Sequence, residues 1–235
     1  MKILAIETSD KTADIAILDT ELDKVWEKKL ETAQKASEVL TSEIEALLKS
    51  ANIEIKQINL IAVGIGPGSY TGTRVGIATV KGLSQGLGIK IVGVNSFEAL
   101  IEMVDEDYSN DCHPEPVEGR QSFSQTPEVI PLIDAKNDRV YYQIGAEQDC
   151  TDINEILDKL KDKNYVFVGT GATVHRSLIS QKFQEQAKVD DRVHIKAKFI
   201  AQITQGRAEA NLFDDVIGLK PLYINKPNIG RKKKS

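Results

Sequence analysis

The most constraining feature of the sequence is a cluster of glycines that follows a long glycine-free stretch. Gly64 is the first glycine of the chain, and five glycines fall between residues 64 and 76. The cluster follows a continuous apolar segment, residues 60–63, which predicts a buried strand. It leads into residues 71–85, whose pattern predicts a helix. A strand, a tight turn and a helix in this order indicate an α/β protein.

Glycines between a strand and a helix can bind phosphate through free backbone N–H groups. The established phosphate loops do not fit this sequence, however. A P-loop requires Lys and then Ser or Thr after its second glycine, whereas Thr73 and Arg74 follow Gly72. The dinucleotide pattern also fails, because Thr71 stands where its third glycine belongs. We therefore favour a structural turn over a nucleotide-binding loop.

Three glycines lie inside the predicted helix. Gly72, Gly76 and Gly82 each cost about 1 kcal/mol of helix stability relative to alanine. Gly72 and Gly76 are four residues apart and therefore share one face of the helix. A face without side chains allows another backbone to approach closely. That neighbour is either the chain's own helix or sheet, or a helix of another subunit, and the sequence leaves both interpretations open.

An amphipathic segment precedes the glycine cluster. Apolar residues three or four positions apart predict a first helix over residues 33–51. Packing on the chain's own sheet accounts for one apolar stripe. Val39 and Leu48 widen that stripe, and the extra width faces either the core or a partner protein. The stripe itself consists of Ala33, Ala36, Leu40, Ile44 and Leu47.

The hydrophobic pattern divides the chain into two α/β lobes, residues 1–104 and 128–235. In each lobe strands come first and helices then alternate with strands, which predicts a mixed sheet flanked by helices. Residues 105–127 are polar and rich in proline, and we expect a mobile loop or insertion there. The predicted strands are residues 3–6, 13–18, 25–30, 60–63, 90–94, 129–133, 139–144 and 165–168. The predicted helices are residues 33–51, 71–85, 95–103, 153–160, 172–180 and 197–212.

The composition excludes several classes of protein. Basic residues number 30 and acidic residues 35, a formal net charge of -5, whereas binding nucleic acid alone needs a concentrated basic face. The one clear basic run is residues 231–234, for which solvation is favoured over contact with the phosphates of a nucleic acid. Two cysteines make no disulfide framework, and no apolar stretch is long enough to span a membrane. We expect a cytoplasmic protein without a membrane partner.

No catalytic set emerges from residue spacing. The three histidines show neither HxxxH nor HExxH spacing, so a helical metal site is unsupported. Ser69 lies outside any GxSxG motif, and no nucleophile and base set supports a peptidase. Some carboxylates lie at strand ends, where α/β sheets place functional groups but where polar residues also occur as chains leave a sheet. These candidates are Glu7, Asp10 and Asp134.

The sequence GPGSYTGTRVG at residues 66–76 closely resembles the TsaB (YeaZ) family. The opening ILAIETS at residues 3–9 fits the same family, as do GVNSFEAL at residues 93–100 and PLYI at residues 221–224. The likeness spans nearly the whole chain except for residues 105–127. It implies an actin-like fold of the sugar-kinase and heat-shock-protein ATPase class, built from two related RNase H-like lobes.

The resemblance also implies a function. Members of the family take part in making N6-threonylcarbamoyladenosine next to the anticodon of tRNA. The resemblance implies a non-catalytic subunit that binds no cofactor, pairs with the catalytic relative TsaD and helps recruit the ATPase TsaE. It implies contact with tRNA only through the complex, and self-association when TsaD is absent. The alternative is an independent ATPase or small-molecule kinase of the same fold.

Carried onto this sequence, the contacts with TsaD lie on the two helices at residues 33–51 and 71–85. The predicted partner-binding residues are Ala36, Leu40, Ile44, Leu47, Gly72, Arg74, Gly76, Thr79, Val80 and Leu83. The paired histidines that hold metal in the catalytic relative are absent, since residues 35–38 have the sequence KASE. The resemblance therefore implies no metal site in this subunit.

ATPases of this fold clasp phosphate with two glycine-bearing hairpins, because only a bare backbone approaches so closely. The corresponding residues 7–13 and 134–139 contain no glycine. The family also often has Asp at the position of Glu7. These departures imply at most a vestigial nucleotide or cation site. Its residues are Glu7, Thr8, Ser9 and Asp134.

Overall fold

The computed structural model describes residues 1–30, 36–109, 127–161 and 163–224. Their strands form two five-stranded sheets, one from each half of the chain. The first sheet contains β1 (Lys2–Glu7), β2 (Ala13–Asp19), β3 (Lys24–Leu30), β4 (Leu60–Gly64) and β5 (Lys90–Val94). The second contains β6 (Glu128–Asp134), β7 (Arg139–Ile144), β8 (Glu147–Asp152), β9 (Tyr165–Val168) and β10 (Ala187–Val189).

Helices connect and flank these strands. The α-helices are α1 (Ala36–Ala51), α2 (Tyr70–Leu87), α3 (Ser96–Ser109), α4 (Ile153–Lys159), α5 (Thr170–Val174), α6 (Arg176–Phe183) and α7 (Ala197–Glu209). Two short 3-10 helices cover Ile55–Gln57 and Gln184–Gln186. None of the helices in the described ranges combines the length and the apolar character that crossing a membrane requires.

Both sheets have the same topology. The strand order is β3-β2-β1-β4-β5 in the first sheet and, in the same sense, β8-β7-β6-β9-β10 in the second. The first three strands of each sheet pair antiparallel, and the fourth and fifth join them in parallel. This repeated mixed sheet confirms the predicted α/β class and the two related RNase H-like lobes of an actin-like fold.

The first sheet is buried on both faces, so β2 is buried at every residue. Successive side chains of a strand point to opposite faces. Ile15 and Ile17 pack with α1 and α2, whereas Ala16 and Leu18 pack with α3 and α7. Helix α7 comes from the half assigned by sequence to the second lobe, residues 128–235, yet it packs against β1 and β2. The first lobe therefore depends on a helix from the far end of the chain.

After α7 the chain crosses the edge of the first sheet as a strap, residues 214–224. Asp214 pairs with β5, and its Oδ2 accepts a hydrogen bond from the Gly93 N–H at 2.8 Å. Leu219 is buried in the core beneath α1 and α2. The Leu222 N–H donates to the carbonyl of the residue after β4 at 2.8 Å. The strap thus runs from the α7 face of the sheet around β5 to the α2 face.

Parts of the second half differ from the sequence prediction. Neither β8 nor β10 is predicted, because β8 has the polar sequence EQDCTD and β10 is only three residues long. The helix predicted over residues 172–180 is two short helices that meet at His175. Helix α3 continues to Ser109, so the start of the predicted loop at residues 105–127 is helical. Residues 110–126 of that prediction lie outside the described residues.

Candidate functional site

Helix α2 begins against the turn that joins β1 and β2. Gly72 and Gly76 face this turn, and a Cβ atom at either position would overlap Thr8. The Thr8 hydroxyl donates a hydrogen bond to the Gly72 carbonyl at 2.8 Å, and Thr8 is completely buried. Of the two interpretations left open for this bare helix face, the structure supports the internal one. The glycines allow the chain's own turn to lie directly on the helix.

The loop before α2 holds the next residue of the same turn. Gly68 packs against the Ser9 carbonyl so closely that a Cβ atom would overlap it. The Ser69 N–H donates to that carbonyl at 2.5 Å. The Ser69 hydroxyl also caps α2 by accepting a hydrogen bond from the Gly72 N–H at 3.2 Å. Loop and turn therefore hold each other in place, which agrees with a structural role for the glycine-rich segment.

Glu7 is completely buried beneath this turn. Its Oε1 accepts a hydrogen bond from the Ser9 N–H, while Oε2 has no hydrogen-bond partner among the described residues. Oε2 packs against Gly64, where a Cβ atom would overlap it. Burial raises the pKa of Glu7 to about 7, although the hydrogen bonds from Ser9 partly oppose this. A large fraction of Glu7 is therefore protonated at neutral pH, which disfavours binding of a cation.

The space between the two lobes at these turns is very small. A cavity of about 20 Å³ lies there, roughly the room that one water molecule needs. Pockets for small ligands have volumes of about 300–1,000 Å³. The cavity is lined by Ser9, Asp10, Pro67, Leu100, Ile133, Thr170, Val193 and Ile195. The cavity beside these two turns is therefore too small for a nucleotide, and most of its described lining is apolar.

Asp134 ends β6 on the other side of this cavity. Partial burial alone would raise the pKa of Asp134, but hydrogen bonds from the Lys136 N–H and ammonium group lower it. In the turn that follows, Lys136, Asn137 and Asp138 all have positive φ, at 67°, 55° and 57°. Glycine is the usual residue in this conformation. Three side chains therefore occupy a turn at which an ATPase of this fold has bare backbone.

The four residues predicted to form a vestigial nucleotide or cation site have different electrostatic surroundings. The charges acting on Glu7 are the neighbouring carboxylates Asp10 and Asp14, whereas Asp134 lies beside lysines. The two remaining residues of the prediction, Thr8 and Ser9, pack between the β1–β2 turn and the start of α2. Among the described residues no three His, Cys, Asp or Glu side chains are grouped closely enough to hold a metal ion.

Most residues predicted to bind a partner lie inside the chain's own core. Helix α1 packs its apolar stripe, together with Leu48, onto the first sheet. The inner face of α2 is buried in the same way. Side chains and glycines buried in this way cannot contact a second protein, which corrects the sequence-based assignment for six positions. They are Leu40, Ile44, Leu47, Gly72, Gly76 and Val80.

The remaining predicted residues are more accessible. Arg74 is exposed, and Thr79 and Leu83 are half-buried, whereas the side chain of Ala36 is outside the described part. The outer face of α2 also presents exposed small residues that sequence reasoning did not single out as a surface. Their spacing of four residues is the signal that would have found them. They are Ala78, Gly82 and Gly86.

The chain is similar in sequence to a defined group of proteins. A family model described as TsaD, tRNA N6-adenosine threonylcarbamoyltransferase, matches residues 30–212. The tRNA threonylcarbamoyladenosine biosynthesis protein TsaB of Bacillus subtilis is 30% identical over 192 residues, which is 76% of this chain and 75% of that protein. The TsaB protein of Haemophilus influenzae is 22% identical and covers 95% of this chain, with 93% of its own length matched.

A solved structure supports the fold. YeaZ from Pseudomonas aeruginosa matches 95% of this chain and 100% of its own length, with a TM-score of 0.72 at 18% sequence identity. At this identity the structural match shows the fold, while the family model and the Bacillus subtilis protein show the relationship in sequence. On these grounds the chain belongs to the TsaB (YeaZ) family.

Proposed function

We propose that the chain is a non-catalytic subunit of the assembly that makes N6-threonylcarbamoyladenosine in tRNA. The names of its relatives refer to this biosynthesis. In this proposal the subunit pairs with a catalytic TsaD protein and helps recruit the ATPase TsaE. The match of this chain to the TsaD family model supports a pair of chains with the same fold.

The small size of the cavity beside the two turns is the observation that carries the non-catalytic role. A cavity of about 20 Å³ has no room for a nucleotide. The two turns that would clasp phosphate carry side chains rather than glycine, and the first of them is packed onto α2. Opening the cleft would expose the apolar side chains that line it, which would cost free energy. Nucleotide chemistry is therefore assigned to the partner chains.

The outer faces of α1 and α2 are the proposed surface for TsaD. Apart from the adjacent residues and the backbone of α2 itself, no described atom lies within 4 Å of the position that a Cβ atom would take at Gly82 or Gly86. A helix surface formed by small residues lets a second helix approach with close backbone contact. Thr79 and Leu83 border the strip formed by Ala78, Gly82 and Gly86, and both are half-buried in the isolated chain. This exposed strip, and not the buried face of Gly72 and Gly76, is the proposed contact with TsaD.

Gly82→Arg tests this surface directly. The new side chain points into open space, so the variant should fold, and loss of a helical glycine favours the helix. The arginine fills the strip, and we expect the affinity for a TsaD protein to fall at least about 10-fold. The measurement is the mass of the mixture of the two proteins by light scattering after size-exclusion chromatography.

Gly206→Arg is the matched control. Gly206 also lies on an exposed helix surface with open space at its Cβ position, but on α7 at the opposite face of the first sheet. The control should pair with TsaD like the parent. Full pairing by Gly82→Arg, or equal loss by both variants, contradicts the proposed surface.

The alternative function is that of an independent ATPase or small-molecule kinase. It requires the isolated chain to bind nucleotide in the cleft. Titration calorimetry with ATP and magnesium should give no binding heat. A saturable heat, abolished by enlarging a lining side chain with Thr170→Trp, would favour the alternative over the non-catalytic role.

A further inference from the structure

Two tyrosines and an arginine form an exposed cluster at the first turn of α2. The Arg74 guanidinium lies 3.9 Å from the centre of the Tyr70 ring and 5.7 Å from that of Tyr223. Its Nε donates a hydrogen bond to the Tyr223 hydroxyl at 2.7 Å. The two rings are tilted by 33°, with centres 5.5 Å apart. We call these three residues the Tyr-Arg-Tyr cluster.

The cluster is ordered but leaves binding groups available. Tyr70 is 46% exposed and Tyr223 is 40% exposed, which is unusual for large aromatic side chains. Arg74 is exposed as well, and no described residue accepts a hydrogen bond from its two terminal nitrogens. Contacts with two rings fix the guanidinium plane, so less side-chain entropy is lost when these donors bind.

The sequence that follows the cluster is strongly basic, in contrast to the rest of the protein. Lys220 is exposed on the strap close to Tyr223 in sequence. Residues 225–235, which follow the strap, contain five basic and no acidic residues. The remaining residues contain 25 basic and 35 acidic side chains. Positive charge is thus concentrated along the chain just where the cluster presents its rings.

We infer that the Tyr-Arg-Tyr cluster is an RNA contact, in which a nucleotide base stacks on an exposed tyrosine and Arg74 donates to a phosphate. Stacking on aromatic side chains is a general mode of binding unpaired bases. A planar guanidinium binds phosphate with two parallel hydrogen bonds. The inference rests on the proposed function, in which the subunit meets tRNA inside its complex, and it names the surface that would do so.

This inference gives Arg74 a different role from the one predicted from sequence, which was contact with TsaD. Tyrosine and arginine are also common at the centres of protein interfaces, where apolar surroundings exclude water. The cluster instead lies at one end of α2, and lysines follow it in sequence. A basic segment next to the cluster in sequence favours a polyanion over a protein surface as the bound partner.

The test uses the complex of the full chain with TsaD and a fluorescently labelled, unmodified tRNA transcript, titrated at one fixed salt concentration. Tyr70→Ala and Tyr223→Ala should each weaken tRNA binding roughly 10-fold, because each removes a stacking surface. Tyr223→Phe keeps the ring and loses only the hydrogen bond to Arg74, so we expect a change below about threefold. Leu212→Ala alters another exposed apolar side chain, outside the cluster, and should bind like the parent.

The mass of each complex is measured alongside tRNA binding, which separates this inference from the proposed function. Complexes of normal mass whose tRNA affinity falls in the expected order support the RNA contact. Unchanged tRNA affinity in complexes of normal mass overturns it and leaves the subunit role intact. Loss of the complex in Tyr70→Ala and Tyr223→Ala also overturns it, because the cluster is then a protein interface. Affinity that depends on residues 225–235 but not on the cluster is a third contradicting result.

Discussion

Helix α2 contains two pairs of glycines that look alike in sequence but have different surroundings. Gly72 and Gly76 are buried against the β1–β2 turn, and a side chain at either position would overlap Thr8. Gly82 and Gly86 are exposed, and the space beside them is open among the described residues. Each pair is spaced by four residues, so each makes a bare stripe on the helix. The first stripe is filled by the chain itself, and only the second is available to a partner.

This difference shows what a glycine stripe can and cannot indicate. Spacing identifies a face on which another backbone can approach, but the position of the helix on its sheet decides which backbone that is. The β1–β2 turn contacts only the first half of α2, where Gly72 and Gly76 lie. The second half extends past the turn, where its outer side has no cover from the described residues.

The largest expected effect comes from filling the buried stripe. Gly72→Ala places a Cβ atom onto the Thr8 carbonyl, a backbone group that cannot rotate away. We expect a loss of about 3 kcal/mol or more in the free energy of unfolding, as for severe overpacking of a core. Urea unfolding followed by circular dichroism gives this value. Parent-like stability would show that the turn does not rest on α2 as described.

A second effect concerns the carboxyl group that the same packing buries. The pKa of Glu7 is about 7 in the folded protein, against an ordinary value of 4.5 for a glutamate side chain. A raised acid pKa means that stability is full below about pH 4.5 and is lost as the pH rises through about 7. The loss is on the order of 3 kcal/mol. Urea unfolding of the parent at pH 4.5 and pH 8 should show this trend.

Glu7→Gln removes the ionisation and should remove this part of the pH dependence. Other groups that titrate in the same range, such as Asp14 with its pKa raised by burial to about 6, are common to both proteins and cancel in the comparison. The stability of the variant relative to the parent should therefore rise between pH 4.5 and pH 8. Parallel pH profiles for the two proteins would contradict the raised pKa.

The smallest expected effect comes from the exposed stripe. Gly82→Ala adds a methyl group in open space and improves helix propensity, so unfolding should require about 1 kcal/mol more. The sign is opposite to that expected for Gly72→Ala, although the same change is made in the same helix. A destabilised Gly82→Ala in urea unfolding would mean that the second stripe is also covered.

Much of the first lobe can be predicted because its periodicities are strong. The first helix and the strands around it bury clear apolar patterns, which fix their type and position. The two edge strands of the second sheet escape prediction for a physical reason. Strand β8 has only one buried residue, Cys150, and β10 pairs with β9 over only three residues. Edge strands of this kind depend on backbone pairing, which leaves little trace in side-chain type.

The candidate sites are less predictable because they depend on distant contacts. The motif at residues 66–76 identifies the family. It does not reveal that the bare face of its glycines is covered by a turn some sixty residues earlier in the chain. The hydrogen bond from Arg74 to Tyr223 joins residues 149 apart in sequence. Glu7 can be placed at a strand end from sequence, whereas its shifted pKa follows only from complete burial.

The path of the last described segment also governs how the protein must assemble during synthesis. Strand β1 lies in a sheet that needs α7 on one face and the strap along one edge. Both elements leave the ribosome long after β1. Until they arrive, one apolar face of that sheet is uncovered, so the emerging amino-terminal half exposes surface that chaperones bind.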